Sequence, residues 1–398
     1  MNKIFIMAHS MDIGGAEKSL LGLLENIDTS RYQVDLFLLR HEGALLNYLP
    51  DGINLLPESP HYSSMGVPLK NVIKKGYLKI AYCRYIGKKK AGKRLKELRI
   101  DCDNNIVNEY SHKYTVGVLP QITDEKYDLA ISFMSPHYYV AKKVNAKKKV
   151  AWIHTDYSTF EVDVESETVM WNMYDNLIAV SDLVQKAFLK TFPTLASKTM
   201  VIENIIPYQY INKLSNEFSA DGEMQSDGSI RLLSIGRFTY PKRFDEVPLM
   251  CKKLREKGLN VTWYLIGFGG DEQLIKAKIE ENRMQRYVIN LGKRENPYPY
   301  IKACDMYIQP SRYEGKSIAV REAQLFSKPV IITNYTTAHS QLRDGIDGVI
   351  VPMDLLHAVD AIADLIKDKE KQQMLICNTK KSDYIGKQEI EKVYALLE

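Results

Sequence analysis

The chain has 398 residues, of which 45% are hydrophobic and 26% charged, and its formal net charge is +5. That length asks for two domains of roughly 150 to 200 residues each, and the composition excludes a disordered chain. Nothing apolar approaches the roughly 18 to 20 consecutive residues of a membrane-spanning helix.

The N-terminal MNKIFIMAHS has too short an apolar core for a signal peptide and reads as a first strand. Five cysteines, Cys83, Cys102, Cys251, Cys304 and Cys377, are scattered with no C-x-x-C pair, the pattern of reduced thiols rather than of a zinc site or disulfide frame. A cytoplasmic protein is expected. After the first strand, GGAEKSLLGLLENI has helical spacing in Ala16, Leu20, Leu23, Leu24 and Ile27. Gly14 and Gly15 open that helix, where a tight turn lets the backbone approach a ligand and free N–H groups favour an anion. An ordinary strand-to-helix turn would look the same.

VDLFLLR continues the sheet and is followed by a basic stretch. Between Lys70 and Arg99 there are twelve Lys/Arg and one acidic residue, Glu97. Lys74, Lys75, Lys79, Arg84, Lys88, Lys89 and Lys90 alternate there with Val72, Ile73, Leu78, Ile80, Tyr82, Tyr85 and Ile86. This pattern predicts an amphipathic surface for anionic lipid headgroups, and it equally describes a solvated helix with its apolar side in the core. No nucleic-acid motif accompanies it. Asp101-Cys102-Asp103 follows with no strand before it, so it is read as a loop or cap and no metal is expected. YDLAISFMS and KKVAWIH are strands, and the second delivers His154, Thr155 and Asp156 to its carboxyl end, where ligands of open α/β sheets bind. A capping histidine, with Asp156 as the N-cap of the next helix, is the other reading. TMVIENIIP closes the first half.

Residues 206 to 229 are polar and rich in Gly and Ser, which marks a linker. The expected domains are therefore 1–205, 230–380 and a terminal helix over 381–398. RLLSI is a buried strand carrying Gly236 and Arg237 into a loop that ends at Lys242. Two cations around a glycine turn suit a pyrophosphate, arginine as a fork and lysine as a point charge. VTWYLIGFGGDE lacks the third glycine and downstream acid of a dinucleotide fingerprint, which argues against a nicotinamide enzyme.

The densest stretch is PSRYEGKSIAVREAQLFSKPVIIT, Pro310 to Thr333. It predicts a loop and helix between two buried strands. Glu314 and the backbone of Gly315, Lys316 and Ser317 stand at the loop, and Glu322 lies eight positions on, where a carboxylate can accept two bonds from vicinal hydroxyls. Donors for phosphate beside acceptors for hydroxyls indicate a nucleotide or a sugar; two surface glutamates on a helix are the plain alternative.

PSRYEG with Glu322 eight residues later, EAQLFSKPVIIT, G-R-x-x-x-x-K at 236 to 242, DGIDGVIV and the early G-G-A-E together resemble the retaining GT-B glycosyltransferases of the glycogen-synthase-like "group 1" family. The likeness covers nearly the whole chain and is densest from Leu232 to Pro352. Arg243 and Ser327 replace the family's usual glycines, and Lys316-Ser317 replaces Phe-Gly or Phe-Pro in the sugar pocket. The resemblance implies an α/β fold of two Rossmann-like domains facing a central cleft, with the acceptor on the first and a nucleotide-sugar on the second. It implies that Gly14 and Gly15 face the donor phosphates, that Gly292 and Lys293 hold the base, that Glu314 and residues 315 to 317 orient the sugar, and that Glu322 holds the ribose. His154 would approach the donor sugar and acceptor. The terminal helix would return to the first domain.

The expected activity is retaining, metal-independent hexosyl transfer without a cofactor, from a nucleotide-sugar, UDP-linked by default, to a saccharide or lipid-linked acceptor in surface polysaccharide assembly. Arg237 and Lys242 would stabilise the leaving diphosphate. Peripheral contact with the inner face of the membrane is expected, and nucleic acid is not a partner. An inverting enzyme or epimerase using His154, a phosphorylase, and a catalytically silent partner remain open, the first separated by product stereochemistry.

Overall fold

The computed structural model describes every residue except 102, 103, 225, 226, 315 and 316, together with all side chains of the rest but that of residue 104. The chain forms two compact units, Met1–Pro207 with Gly386–Glu398, and Tyr208–Ile385.

The first unit is a seven-stranded parallel sheet. Its strands are β1 (Asn2–Ala8), β2 (Tyr32–Leu38), β3 (Ile53–Leu55), β4 (Lys126–Ser132), β5 (Asn145–Ile153), β6 (Asn176–Ala179) and β7 (Thr199–Val201). They lie in the order β3-β2-β1-β4-β5-β6-β7. Strands covered by helices on both faces read as continuous apolar runs, and β1 is such a run, with Ile4, Phe5, Ile6 and Met7 wholly buried. The sheet reverses between β1 and β4, which pair in parallel from Ile4 against Leu129 to Met7 against Ser132. Phe5 stacks on Phe37, and Phe37, Tyr62 and Tyr139 continue from there into the overlying layer as edge-on aromatic contacts. The terminal helix Lys387–Ala395 packs on this unit: Tyr394 stacks on Tyr32 at 4.6 Å, and its hydroxyl accepts from the Asp28 amide at 2.8 Å.

The second unit has six parallel strands, β8 (Ile230–Ile235), β9 (Val261–Ile266), β10 (Val288–Gly292), β11 (Met306–Gln309), β12 (Val330–Thr333) and β13 (Val349–Val351), in the order β10-β9-β8-β11-β12-β13. Trp263 donates to Ser234 Oγ at 2.9 Å, and Ser234 donates to the Ile308 carbonyl at 2.6 Å, so one buried chain of bonds ties β9, β8 and β11. The order reverses between β8 and β11. Both units are Rossmann-like, and each has a switch point beside its first strand.

The stretch 206–229 corrects the expected linker. Tyr208–Leu214 is a helix of the second unit that buries Tyr210, Ile211 and Leu214. Asn296 Nδ2 donates to the Leu214 carbonyl at 2.9 Å, and Arg294 pairs with Glu223. Apolar spacing at 210, 211 and 214 won over the polar composition around it. Among the described residues, no helix is long and apolar enough to cross a membrane.

Candidate active site

In the second unit the chemistry gathers where ligands bind in open α/β sheets, at the carboxyl ends of the two strands that flank the switch point. β8 runs into Gly236 and Arg237, and β11 runs into Pro310, Ser311 and Glu314. Between Arg237 and Lys242 the chain makes a short turn, Tyr240–Lys242, which brings Lys242 Nζ into an ion pair with the Glu314 carboxylate. Both side chains keep some solvent access, 20% and 10%. Ser311 Oγ donates to the same Glu314 oxygen at 2.8 Å, and Ser311 in turn accepts from Gln309 Nε2 at 2.9 Å. Tyr307 completes this relay from the strand interior by donating to Gln309 Oε1 at 2.7 Å. Thr337 Oγ1 holds the Glu314 carbonyl at 2.7 Å. Glu314 is thus fixed from three sides, while the exposed Arg237 guanidinium has no bond among the described residues.

Glu322 lies on the helix Ile318–Leu325, 4% exposed, and accepts from Tyr298 OH at 3.0 Å. Ser317 is the N-cap of that helix, but its amide donates to Gln341 Oε1 at 2.6 Å. This amide, expected to meet a donor sugar, is thus bonded within the unit. Gly315 and Lys316 lie outside the described residues. Gly292, expected with Lys293 to hold the base, donates its amide to Asn290 Oδ1 at 2.8 Å, and its carbonyl accepts from Gly267 at 3.0 Å. Lys293 places its ammonium 5.4 Å from the Phe268 ring centroid.

The loops after β8 and β9 are packed backbone on backbone. Phe238 donates to the Phe268 carbonyl at 2.8 Å and accepts from Asp271 at 3.0 Å. A Cβ on Gly267 would stand 1.9 Å from the Gly236 carbonyl oxygen, and one on Gly269 would stand 2.3 Å from that of Phe238. These glycines, set aside in the sequence as an incomplete fingerprint, are needed to seat the loop that carries Arg237.

In the first unit, Gly14 caps the helix Gly15–Asn26. Glu17 folds back over it, so that a Cβ on Gly14 would lie 2.1 Å from Glu17 Oε2. Burial raises the Glu17 pKa, and the nearby Asp12 adds to the rise. The anion position expected at this helix start is therefore covered by the chain's own carboxyl group. Beside it opens a cavity of about 530 Å³, lined among others by His9, Glu17, Glu109, His137, His154, Glu167 and Trp171. His154 follows β5, and its Nε2 is buried with no hydrogen-bond partner among the described residues. Desolvation pushes its pKa down to about 4, so the ring is neutral at pH 7. Desolvation also takes His137 and His112 down to about 3 and pushes Glu167 up to about 7. Glu109 accepts from Tyr138 OH at 2.7 Å and Ser166 Oγ at 2.8 Å, and its second oxygen is buried without a partner. Glu109 and Glu167 gave no sequence signal because a lone glutamate in a helical pattern reads as surface.

Asp156 is exposed and accepts from the amide and hydroxyl of Ser158, an Asx turn. The N-cap of the following helix, Val164–Trp171, is instead Asp163. Lys74, Lys75, Lys79, Lys88, Lys89 and Lys90 are exposed. Arg84 differs from them: it is half-buried and donates to the carbonyls of Ser64 and Val67 at 3.0 and 2.8 Å, so it holds the fold rather than a ligand. Of Asp101-Cys102-Asp103, the last two lie outside the described residues.

Residues 217–382, the span that contains the Lys242, Glu314 and Glu322 set, match the family described as glycosyl transferases group 1. This stretch is a group 1 glycosyl transferase domain. An uncharacterized glycosyltransferase of Methanocaldococcus jannaschii is 26% identical over 171 residues, and the match spans 42% of each chain. The chain is also 23% identical, over 89% of its length and 87% of the relative's, to a Campylobacter jejuni enzyme. That relative is an N-acetylgalactosamine-N,N'-diacetylbacillosaminyl-diphospho-undecaprenol 4-alpha-N-acetylgalactosaminyltransferase. Among solved structures, Anabaena HepE in complex with UDP superposes with a TM-score of 0.62 at 17% identity, over 99% of this chain and 100% of that one. The group 1 domain and the unit before it thus share the GT-B fold.

Proposed function

We propose that the chain is a retaining, metal-independent glycosyltransferase that moves a hexose from a nucleotide-sugar, a UDP-sugar foremost, to a saccharide or lipid-linked acceptor in surface polysaccharide or glycoconjugate biosynthesis. The observation that carries this reading is the meeting of Lys242 and Glu314 at the switch point of the second unit, with Arg237 on the loop that leaves the neighbouring strand. Cleaving an anomeric C–O bond builds negative charge on the departing diphosphate. Arg237 and Lys242 stabilise that charge as it grows. An incoming diphosphate competes with Glu314 for Lys242, which frees the carboxylate, still held by Ser311, to orient the donor sugar. Glu322 takes the ribose hydroxyls. The leaving phosphate accepts the acceptor's proton, so no protein nucleophile is assigned and no cofactor is needed. UDP in the Anabaena neighbour and the undecaprenol-linked substrate of the Campylobacter relative support the donor and acceptor classes. Work at the inner face of the membrane is part of the same reading.

The test is thermal melting with UDP, GDP, ADP and CMP, for the wild type, Arg237→Ala and Glu322→Ala. A nucleotide present at about 100 times its Kd adds roughly 2.7 kcal/mol of stability, so UDP should raise Tm in the wild type and in neither variant. No shift with any nucleotide would discard the reading in favour of a silent partner.

One observation favours a second reading. The neutral, unpartnered Nε2 of His154 is what a general base offers, and an inverting transferase would need one. Anomeric NMR of the product decides between them: retention with activity persisting in His154→Asn supports the first, inversion with activity abolished supports the second.

A further inference from the structure

The helices Leu69–Lys74 and Leu78–Leu98 carry the basic stretch on the surface of the first unit. On the longer helix Leu78, Tyr82 and Tyr85 follow one another at i, i+4 and i+7, so they share one stripe. They are 63%, 66% and 55% exposed. Lys89, Lys93 and Lys96 continue that stripe in the same spacing and are also exposed. The opposite stripe, Ile80, Ala81, Gly87, Ala91 and Leu95, is buried. The apolar residues of the outward stripe are therefore not core residues, which removes the plain reading of the sequence pattern for these positions.

The shorter helix extends the apolar patch through Ile73, which is 49% exposed. Lys74, Lys75 and Lys79 surround it, and none of the three has an ion pair among the described residues. Arg94, by contrast, is held by Asp163 and Glu165, which takes it out of the patch. The face therefore offers aliphatic and aromatic groups ringed by uncompensated ammonium groups. Tyrosine suits the boundary between acyl chains and headgroups, lysine can reach a phosphate with its stem along an apolar surface, and an anionic leaflet attracts such a cluster.

We propose that this face lies on an anionic lipid bilayer, with Ile73, Leu78, Tyr82 and Tyr85 at the headgroup boundary and Lys74, Lys75 and Lys79 on the lipid phosphates. It deepens the reading of a lipid-linked acceptor but stands on the surface itself, and the two can fail separately.

The test is co-sedimentation of the full chain with phosphatidylcholine vesicles, with and without phosphatidylglycerol. Binding is expected only with phosphatidylglycerol, and it should weaken as salt rises. The triple variants Leu78→Ser/Tyr82→Ser/Tyr85→Ser and Lys74→Gln/Lys75→Gln/Lys79→Gln should each bind at least roughly tenfold more weakly. All six positions are exposed, so melting curves unchanged from wild type confirm that the variants fold. Equal binding to both vesicle types, binding retained in both variants, or no vesicle binding, as when a protein or RNA covers this face, each overturns the proposal. The UDP-induced melting shift, read on the same samples, reports the donor site independently. Its loss with vesicle binding intact would sink the transferase reading and leave the docking face standing.

Discussion

Arg243 and Ser327 stand where the group 1 family usually has glycine, and both have left-handed backbones, with φ of 60° and 53°. An L-residue there costs roughly 1 to 2 kcal/mol that glycine avoids. The family's glycines at these positions are thus explained by conformation, with no appeal to the chemistry of the donor. The two replacements should nevertheless respond differently to restoration of glycine. Ser327 ends the helix Ile318–Leu325 through backbone bonds alone, its amide donating to the Gln324 carbonyl at 2.8 Å. Ser327→Gly should therefore stabilise the second unit by about 0.5 to 1 kcal/mol, after the unfolded chain's added entropy is deducted. Arg243 is 5% exposed, and its guanidinium donates to the Met353 carbonyl at 2.8 Å and pairs with Glu246 at 2.6 Å. Arg243→Gly strips the partly buried Met353 carbonyl and Glu246 of their shared charged donor, a loss of about 1.5 to 3 kcal/mol, and should be destabilising despite the easier backbone. Denaturant melts of the two variants check the opposite signs; a loss of stability in Ser327→Gly would show that the serine is held by more than its backbone.

At the scale of elements, the site depends on how the loop after β9 supports the loop after β8. Gly267→Ala would drive a methyl group into the Gly236 carbonyl oxygen, at 1.9 Å. Neither partner is a flexible side chain, so both loops must shift. The expected outcome is at least about 2 kcal/mol of lost stability and a loss of the UDP melting shift, because Arg237 rides on the displaced loop. Gly270→Ala, where a Cβ meets nothing within 4 Å, is the control. Parallel strands were readable in the sequence because burial on both faces removes the polar alternation, as in β1, β9 and β12. The Glu314, Glu322 and Lys242 positions were readable from spacing and resemblance. Their mutual pairing and their supports were not: Ser311, Gln341 and Tyr298 act through the tertiary arrangement, which no local period encodes. For the same reason Arg84 passed for one more cation of a basic run until its carbonyl partners were visible, and Tyr208–Leu214 hid inside a polar segment.

Across the whole molecule, acid sensitivity should arise in the first unit. His112, His137 and His154 all belong to it, and desolvation lowers their pKa values to about 3, 3 and 4. In the unfolded chain each returns to roughly 6.5. Between pH 6.5 and about 4 the unfolded state therefore binds protons that the folded state refuses, and stability falls as pH falls. Each ring contributes at most about 1.4 kcal/mol per pH unit, less for rings that keep partial access to solvent. Glu167 works the other way. Its folded pKa of about 7 lies above the ordinary carboxyl value, so its contribution is complete below about pH 4.5 and is lost as pH rises through 7. Glu109, also raised by burial, adds in the same sense as Glu167, whereas Asp163, whose pKa the Arg94 and Tyr110 bonds bring below the usual value against the opposing effect of burial, adds to the acid loss. His9, lowered by desolvation, joins the histidines, and Glu17, raised by burial, joins the carboxyl groups, so four histidines against three carboxyl groups leave a net fall. Thermal melts from pH 7.5 to 5 should show Tm dropping most steeply below pH 6.5. In His137→Asn/His154→Asn that fall should be shallower, whatever the change in absolute Tm, because two of the four opposing protonations are gone. An unchanged slope in the double variant would place the acid sensitivity in other groups and leave the cavity histidines without a part in it.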